Sequence, residues 1–366
     1  MGVRLMRETN PNGMGNDVND RIHAAWELVR SSAKLYSKGL ETGINAGISL
    51  KEEEIERLIF LGMGGSGIVG DIIRDMLAAP YTIPVHIFKD YSIPIKPRKD
   101  DLVIAVSYSG GTTETLTAFA QAHEAGCKLA AITSGGDLAR LAEKKGIPLA
   151  IVSSGLQPRY AAPEMVAAAY GLLIHITQTR ADAKIMREAI EELRGYIEQF
   201  KKANEGEAYE HAKSINNKIA VIYGHTHLFS TAYRLKAQLN ENAKSQAFLA
   251  QLPEACHNEV EGWLTKTETA HIFLRSRYEP PIITSIVKWM TDTLISRGYA
   301  VEELRTEAKS HVAEIMKLIA LIDFISISLA ALRGADPLTL HLLPEVRKAL
   351  QLNERLRQYV LSSFAK

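Results

Sequence analysis

The stretch LVIAVSYSGGTTETL, Leu102–Leu116, runs an apolar, β-branched segment straight into a loop of hydroxyls and glycines and out into helical sequence. A buried strand, a glycine-bearing turn and a helix form the unit of parallel sheets covered on both faces. Free backbone N–H groups at the start of such a helix favour an anion, and short hydroxyls add donors without bulk. Ser107, Ser109, Thr112 and Thr113 place four hydroxyls within seven residues. Helix capping accounts for one or two of them. Four suit the three oxygens of a phosphate monoester.

The same alternation extends on both sides. A helical periodicity covers Arg21 to Lys38, followed by LIFLG, a helix from Ile68, VHIF, LVIAVS, a helix from Thr113, LAAIT, a helix from Asp137, PLAIV and a helix from Pro163. Residues 182–203 are charged and helical in period. The rhythm then restarts with KIAVIYG, a helix, AFLAQ, HIFLRS, a helix over 281–297, YAVEEL and a long apolar helix from His311. The expected fold is α/β: two tandem domains, each a mostly parallel sheet flanked by helices. Their expected bounds are 21–180 and 206–336, with a lead-in over 1–20, a connecting helix over 181–205 and a helical extension over 337–366.

Composition narrows the function classes. The chain has 366 residues, 46% apolar and 23% charged, with a formal charge of +1. That is ordinary for a globular protein with a sizeable core. No dense Lys/Arg run marks a nucleic-acid or anionic-membrane partner. Cys127 and Cys256 are the only cysteines, too few for a disulfide framework and consistent with a reducing cytosol. The apolar segment from Val312 is interrupted by Glu314, Lys317 and Asp323, so no membrane span is expected. The N-terminus has no basic-then-apolar secretory pattern, and its sixth residue, Met6, does not fit a myristoylation signal. A cytoplasmic location is expected.

A second glycine loop, GMGGSG at Gly62–Gly67, matches G-x-G-x-x-G, and Asp90 stands near where a ribose-binding acid would lie. Dinucleotide binding is therefore a real competitor, as is a plain tight turn. A dinucleotide fold does not need the hydroxyls of the other loop. Both loops fall at the carboxyl edge of an open sheet, where ligands sit. Together they point to a sugar phosphate, with the phosphate on Ser107–Thr113 and the carbon chain toward Gly62–Gly67.

Acid–base candidates stand farther on. Glu241 lies between two asparagines at a helix end, followed by Lys244, and His257 comes sixteen residues later inside PEACHNE. A lone helical Glu is commonly a solvated residue, and a lone His a surface or capping one. Lys317 sits among apolar neighbours. It either pairs with Glu314 or snorkels to water, or else neutralises a phosphate or enediolate. In GHTH, His225 and His227 alternate along an extended segment, but a catalytic zinc needs a third ligand and none is evident. Cys256 beside His257 reads as an inert thiol, because adjacent side chains diverge.

Taken together, GMGGSG, AVSYSGGTTET, the Pro-Arg-Tyr within Gln157–Ala161, LNENAK, PEACHNE and Ser310–Lys317 resemble the bifunctional phosphoglucose/phosphomannose isomerases, which are built from two sugar-isomerase (SIS) domains. The resemblance runs from about Ala24 to the C-terminus. It implies aldose–ketose isomerisation of hexose 6-phosphates without metal, nucleotide or other cofactor. It implies Glu241 as the base and His257 as the ring-opening histidine. Arg159 would stabilise the enediol and, with Gly65 and Ser66, face the sugar. Ser107, Ser109, Thr112 and Lys317 would contact phosphate, and Ser310 would leave room for both C2 epimers. It also implies a homodimer whose subunits share active sites. One departure is Gly111, where the family's asparagine is expected. The rival in another class is a non-catalytic sugar-phosphate-binding regulatory SIS protein, since one fold hosts several functions.

Overall fold

The computed structural model describes residues 18–48, 50, 55–77, 83–176, 181–350 and 354–364. The expected lead-in lies outside these except for residues 18–20, which already form the first turn of a helix. That helix, α1 (Val18–Arg30), is followed by α2 (Ser32–Ala46), where the periodicity predicts one continuous helix. The break falls at Ser31, whose Oγ donates to the Leu28 carbonyl at 2.7 Å. Such local bonds compete with helix continuation.

The first sheet assembles from β1 (Arg57–Leu61), β2 (Val85–Phe88), β3 (Asp101–Val106), β4 (Lys128–Thr133) and β5 (Leu149–Ile151), all parallel and ordered β2-β1-β3-β4-β5. Helices α3 (Gly64–Leu77), α4 (Thr113–Glu124) and α5 (Gly136–Lys145) connect the strands, and α6 (Pro158–Leu173) closes the half. Every residue of β3 is buried, as a central strand of a doubly covered sheet requires.

Two helix starts differ from expectation. Helix α3 begins at Gly64, so the last four residues of GMGGSG are its first turn. Helix α6 begins at Pro158, which is suited to a first turn because its missing N–H is not needed there. Pro163 then lies inside the helix and cannot donate to the Arg159 carbonyl four residues back. Arg234 Nη2 supplies that bond at 2.9 Å.

After α7 (Ala183–Ile197) and α8 (Glu207–Ile215), the second sheet takes β6 (Ile219–Gly224), β7 (Ala247–Gln251), β8 (Thr269–Leu274) and β9 (Ala300–Leu304). Its order, β7-β6-β8-β9, all parallel, repeats that of the first four strands of the first sheet. The duplication expected from the sequence is thus present in the topology. Between these strands run α9 (Phe229–Glu241), α10 (Glu259–Gly262) and α11 (Pro281–Ser296).

The final large element, α12 (His311–Arg333), is long and apolar enough by length and composition to cross a membrane. Instead it is buried on nearly every side among α1, α7, α8 and α9, which is why it is apolar all round. One continuous core includes Ile72, Leu235 and Phe324, from α3, α9 and α12. After α13 (Leu342–Leu350), α14 (Glu354–Ser363) folds back on α4. There Tyr359 donates to Glu124 at 2.8 Å and Phe364 stacks on His123.

Candidate active site

The two glycine–hydroxyl segments meet at the carboxyl edge of the first sheet. The Tyr108 amide donates to Ser66 Oγ at 3.0 Å. Its phenol donates to the Ser153 carbonyl at 2.9 Å and accepts the Leu156 amide at 2.8 Å. Tyr108, which sequence reasoning passed over as an aromatic in a polar loop, thereby joins α3, the β3 loop and the lead-in to α6. Ser66 is buried, and its hydroxyl serves this junction.

In the β3 loop, Ser107 is fully buried and donates to Thr112 Oγ1 at 3.0 Å. Thr112 occupies the N-cap position of α4, yet its hydroxyl does not cap the helix. The first-turn amides of α4 are therefore left to an anion or to water. Ser109 is exposed, and its Oγ accepts the Gly111 amide at 3.3 Å. Gly110 has φ 65°, and a Cβ there would lie 1.8 Å from the Gly135 carbonyl oxygen. Only glycine fits. Gly111 differs, since a Cβ there meets nothing within 4 Å.

Arg159 and Glu241 come together near the N-terminal end of α3. A Cβ on Gly65 would lie 2.9 Å from the Arg159 backbone nitrogen, so the absent side chain lets α6 approach. Arg159 is 3% exposed. Its Nη1 donates to Glu241 Oε2 at 3.2 Å, Nε to Asn242 Oδ1 at 2.9 Å and Nη2 to the Pro337 carbonyl at 2.6 Å. Tyr160, its phenol pushed up to about 12 by burial, also donates to Asn242, at 3.2 Å. Behind this layer Arg234 is bidentate to Asp323 at 3.0 and 2.7 Å, and Gln238 donates to the same carboxylate at 2.8 Å. The Arg159–Glu241 pair thus rests on a buried, hydrogen-bonded base. Glu241 is half-buried, and among the described residues its Oε1 accepts no hydrogen bond.

Other expected site residues lie elsewhere. His257 is exposed, in a short turn beyond the far end of β7. Glu241 sits before the near end, so about 13 Å of strand separates the two within one protomer. Ser310 caps α12, its Oγ accepting the Ala313 amide at 3.2 Å. The adjacent His311 ring lies 2.7 Å from the Met76 carbonyl, at the end of α3 remote from Gly65. Eleven helical steps separate Gly65 from Met76, about 16 Å. Lys317 does not pair with Glu314. Its ammonium donates to the Glu307 carbonyl, lies 3.8 Å from Glu192 and sits over the Tyr196 ring. It faces α7, roughly a third of a turn round from Asp323. The structure therefore does not bring Ser310 or Lys317 to the phosphate loop or to Glu241.

The two GHTH histidines stay in contact, although the segment is not extended throughout. Thr226–Leu228 winds into a 3-10 turn, and the rings of His225 and His227 meet edge-on at 4.5 Å. Burial lowers both, His227 to about 4. Among the described residues, no three His, Cys, Asp or Glu side chains converge as metal ligands. Burial raises the Cys256 thiol, consistent with an unreactive residue.

A bacterial phospho-glucose isomerase C-terminal SIS domain model matches residues 204–350, and an SIS domain model matches residues 53–156. A bifunctional phosphoglucose/phosphomannose isomerase from Aquifex aeolicus is 32% identical over 80% of this chain and 90% of its own length. The chain belongs to the bifunctional phosphoglucose/phosphomannose isomerase family. A D-glucosamine-6-phosphate 4-epimerase from Sulfolobus acidocaldarius is also similar, 30% identical over 80% of this chain and 89% of its own. The fold of the C-terminal domain of a glucosamine-fructose-6-phosphate aminotransferase from Francisella tularensis covers 90% of this chain and 99% of that one, with TM-score 0.65 at 15% identity. Within this family framework, the Arg159–Glu241 pair and the β3 loop stand out as neighbouring features joined through Gly65, Ser66 and Tyr108.

Proposed function

We propose that this chain interconverts glucose 6-phosphate and mannose 6-phosphate with fructose 6-phosphate through a cis-enediol. The observation that carries the reading is the carboxylate of Glu241, one oxygen held 3.2 Å from Arg159 and the other open, beside a loop fitted for an anion. The first-turn amides of α4, with Ser109 and Thr112, take the phosphate, and binding it fixes where C1 and C2 lie. Glu241 takes the proton from one carbon and returns it to the other, since one carboxylate reaches both. Arg159 stabilises the negative charge that grows on the enediol oxygens. None of these steps calls on a metal or nucleotide.

The cyclic sugar must first open, which suits a histidine titrating near neutrality. Within one protomer His257 is too far from Glu241 for that task, so we assign it to the neighbouring site of a homodimer. There His257 of the partner subunit would stand over the ring oxygen. The exposure of His257 and the length of β7 support this arrangement.

The test is incubation of pure protein with fructose 6-phosphate in EDTA, with the products resolved. Glucose 6-phosphate plus mannose 6-phosphate is the expected result. Glucose 6-phosphate alone would remove the second specificity. Binding without turnover would favour the regulatory reading, and restoration by zinc would overturn metal independence. A parallel incubation with glucosamine 6-phosphate that yields the C4 epimer would favour the chemistry of the epimerase relative.

A further inference from the structure

Lys244, three residues beyond Glu241, has φ 52°. Among the described residues the only other non-glycine in this left-handed region is Asn217, a residue type that tolerates it. A glycine would end α9 here without strain. What the lysine adds is its ammonium, which donates to the carbonyls of Glu241 at 2.5 Å, Thr339 at 2.7 Å and Asp336 at 2.8 Å. Three donors meet three acceptors, so the ammonium is saturated.

Two of those carbonyls belong to a strap, Asp336–Thr339, that follows α12. The same strap takes Arg159 at the Pro337 carbonyl, Gln157 at the Leu338 carbonyl, and Arg21 at Asp336 and Thr339. Lys244 therefore joins the backbone of Glu241 to the segment that orients Arg159. We infer that Lys244 is a positioning residue: its ammonium clasps the end of α9 to the strap and keeps the carboxylate of Glu241 and the guanidinium of Arg159 in register. The inference rests on Glu241 being the base. It explains why a strained position is occupied by lysine, strain being retained where it serves a site.

Lys244→Gly relieves the backbone and removes the clasp. The expected result is an unchanged or higher melting temperature with amide exchange at Leu338 and Thr339 faster by about tenfold or more. With fructose 6-phosphate, kcat falls by roughly 10–100-fold while KM stays within about twofold, as a small misplacement of reacting groups predicts. Lys244→Arg keeps the charge but presents a planar fork, and is expected to recover little of the rate. Full recovery by arginine would reduce the role to charge alone and overturn the clasp. Wild-type kcat, or unchanged exchange in the strap, for Lys244→Gly would overturn it as well. Glu241→Gln is the control: if that variant turns over normally, the assignment of the base fails, while strap exchange still decides whether the clasp exists.

Discussion

Arg159 reaches Glu241 with the one arm of its guanidinium not committed to Asn242 or to the Pro337 carbonyl, and the approach is 3.2 Å. The cation is fixed before any ligand arrives, so the protein sets where positive charge stands relative to the carboxylate. Charge placed in advance needs no reorganisation when the transition state forms. Arg159→Lys keeps the charge and loses the fork, leaving Asn242 and Pro337 without their donors. We expect kcat with fructose 6-phosphate to fall by about 10²–10³, the scale of losing one fixed electrostatic donor, with a smaller change in KM. Steady-state kinetics beside a melting curve checks this. A folded Arg159→Lys enzyme with near wild-type kcat would remove the guanidinium from the mechanism.

Gly111, where the family resemblance leads to an expectation of asparagine, stands at a position where the structure asks for no glycine. A Cβ meets nothing within 4 Å, whereas at Gly110, one residue earlier, it would collide with the Gly135 carbonyl. Gly111→Asn should therefore fold, with stability unchanged or raised by up to about 1 kcal/mol through a less flexible unfolded chain. The amide side chain adds a donor next to the first turn of α4, so KM for the hexose phosphate should fall about two- to tenfold, the worth of about one ordinary hydrogen bond. A loss of stability above about 1 kcal/mol would show that the loop does need glycine there.

The strands and the repeated strand–helix alternation were legible because buried parallel strands are written as short unbroken apolar runs, β3 being the clearest. Helix starts were less so. Pro163 looked like a beginning, and only the fold shows Arg234 meeting the carbonyl that this proline leaves open. Within the site, Glu241 and Arg159 could each be named, but their contact joins residues 82 apart. The Pro337 carbonyl that orients Arg159 is farther still along the chain, and no local pattern encodes it. Lys317 shows the converse. A lysine in an apolar helix invites a role, yet its direction is set by the neighbour that packs there, and α7 offers Glu192 and Tyr196. Lys244 was visible as a residue, while its left-handed backbone and three carbonyl partners were not.

His271 sits on β8 in a cage of Tyr223, Trp263 and Tyr299, and burial depresses its pKa to about 4. Its ring nitrogens meet the Tyr223 hydroxyl and Thr269 Oγ1, each at 3.1 Å. A histidine held neutral contributes stability that is fully present above its unfolded value near 6.5. That contribution is lost as pH falls toward 4, because the unfolded chain takes up the proton first. The stability difference between wild type and His271→Gln should therefore be largest near pH 7 and shrink by up to about 3 kcal/mol on approaching pH 4. Denaturant titrations of both proteins across that range measure it. A difference independent of pH would mean that the imidazole titrates normally.

Sharing of sites between subunits can be tested by mixing two inactive proteins. If His257 serves the neighbouring Glu241, a Glu241→Gln subunit paired with a His257→Ala subunit rebuilds one intact site from wild-type residues at both positions. The other site of the same dimer carries both lesions. Random reassortment of two such homodimers gives about half mixed dimers, hence about a quarter of all sites restored. Activity should rise from near zero toward about a quarter of wild type as subunits exchange, and the rise should follow the appearance of mixed dimers by native mass spectrometry. Were both residues drawn from one chain, every mixed dimer would hold two singly damaged sites and activity would stay flat. The 13 Å or so of β7 between Glu241 and His257 makes that second outcome the one the strand length argues against.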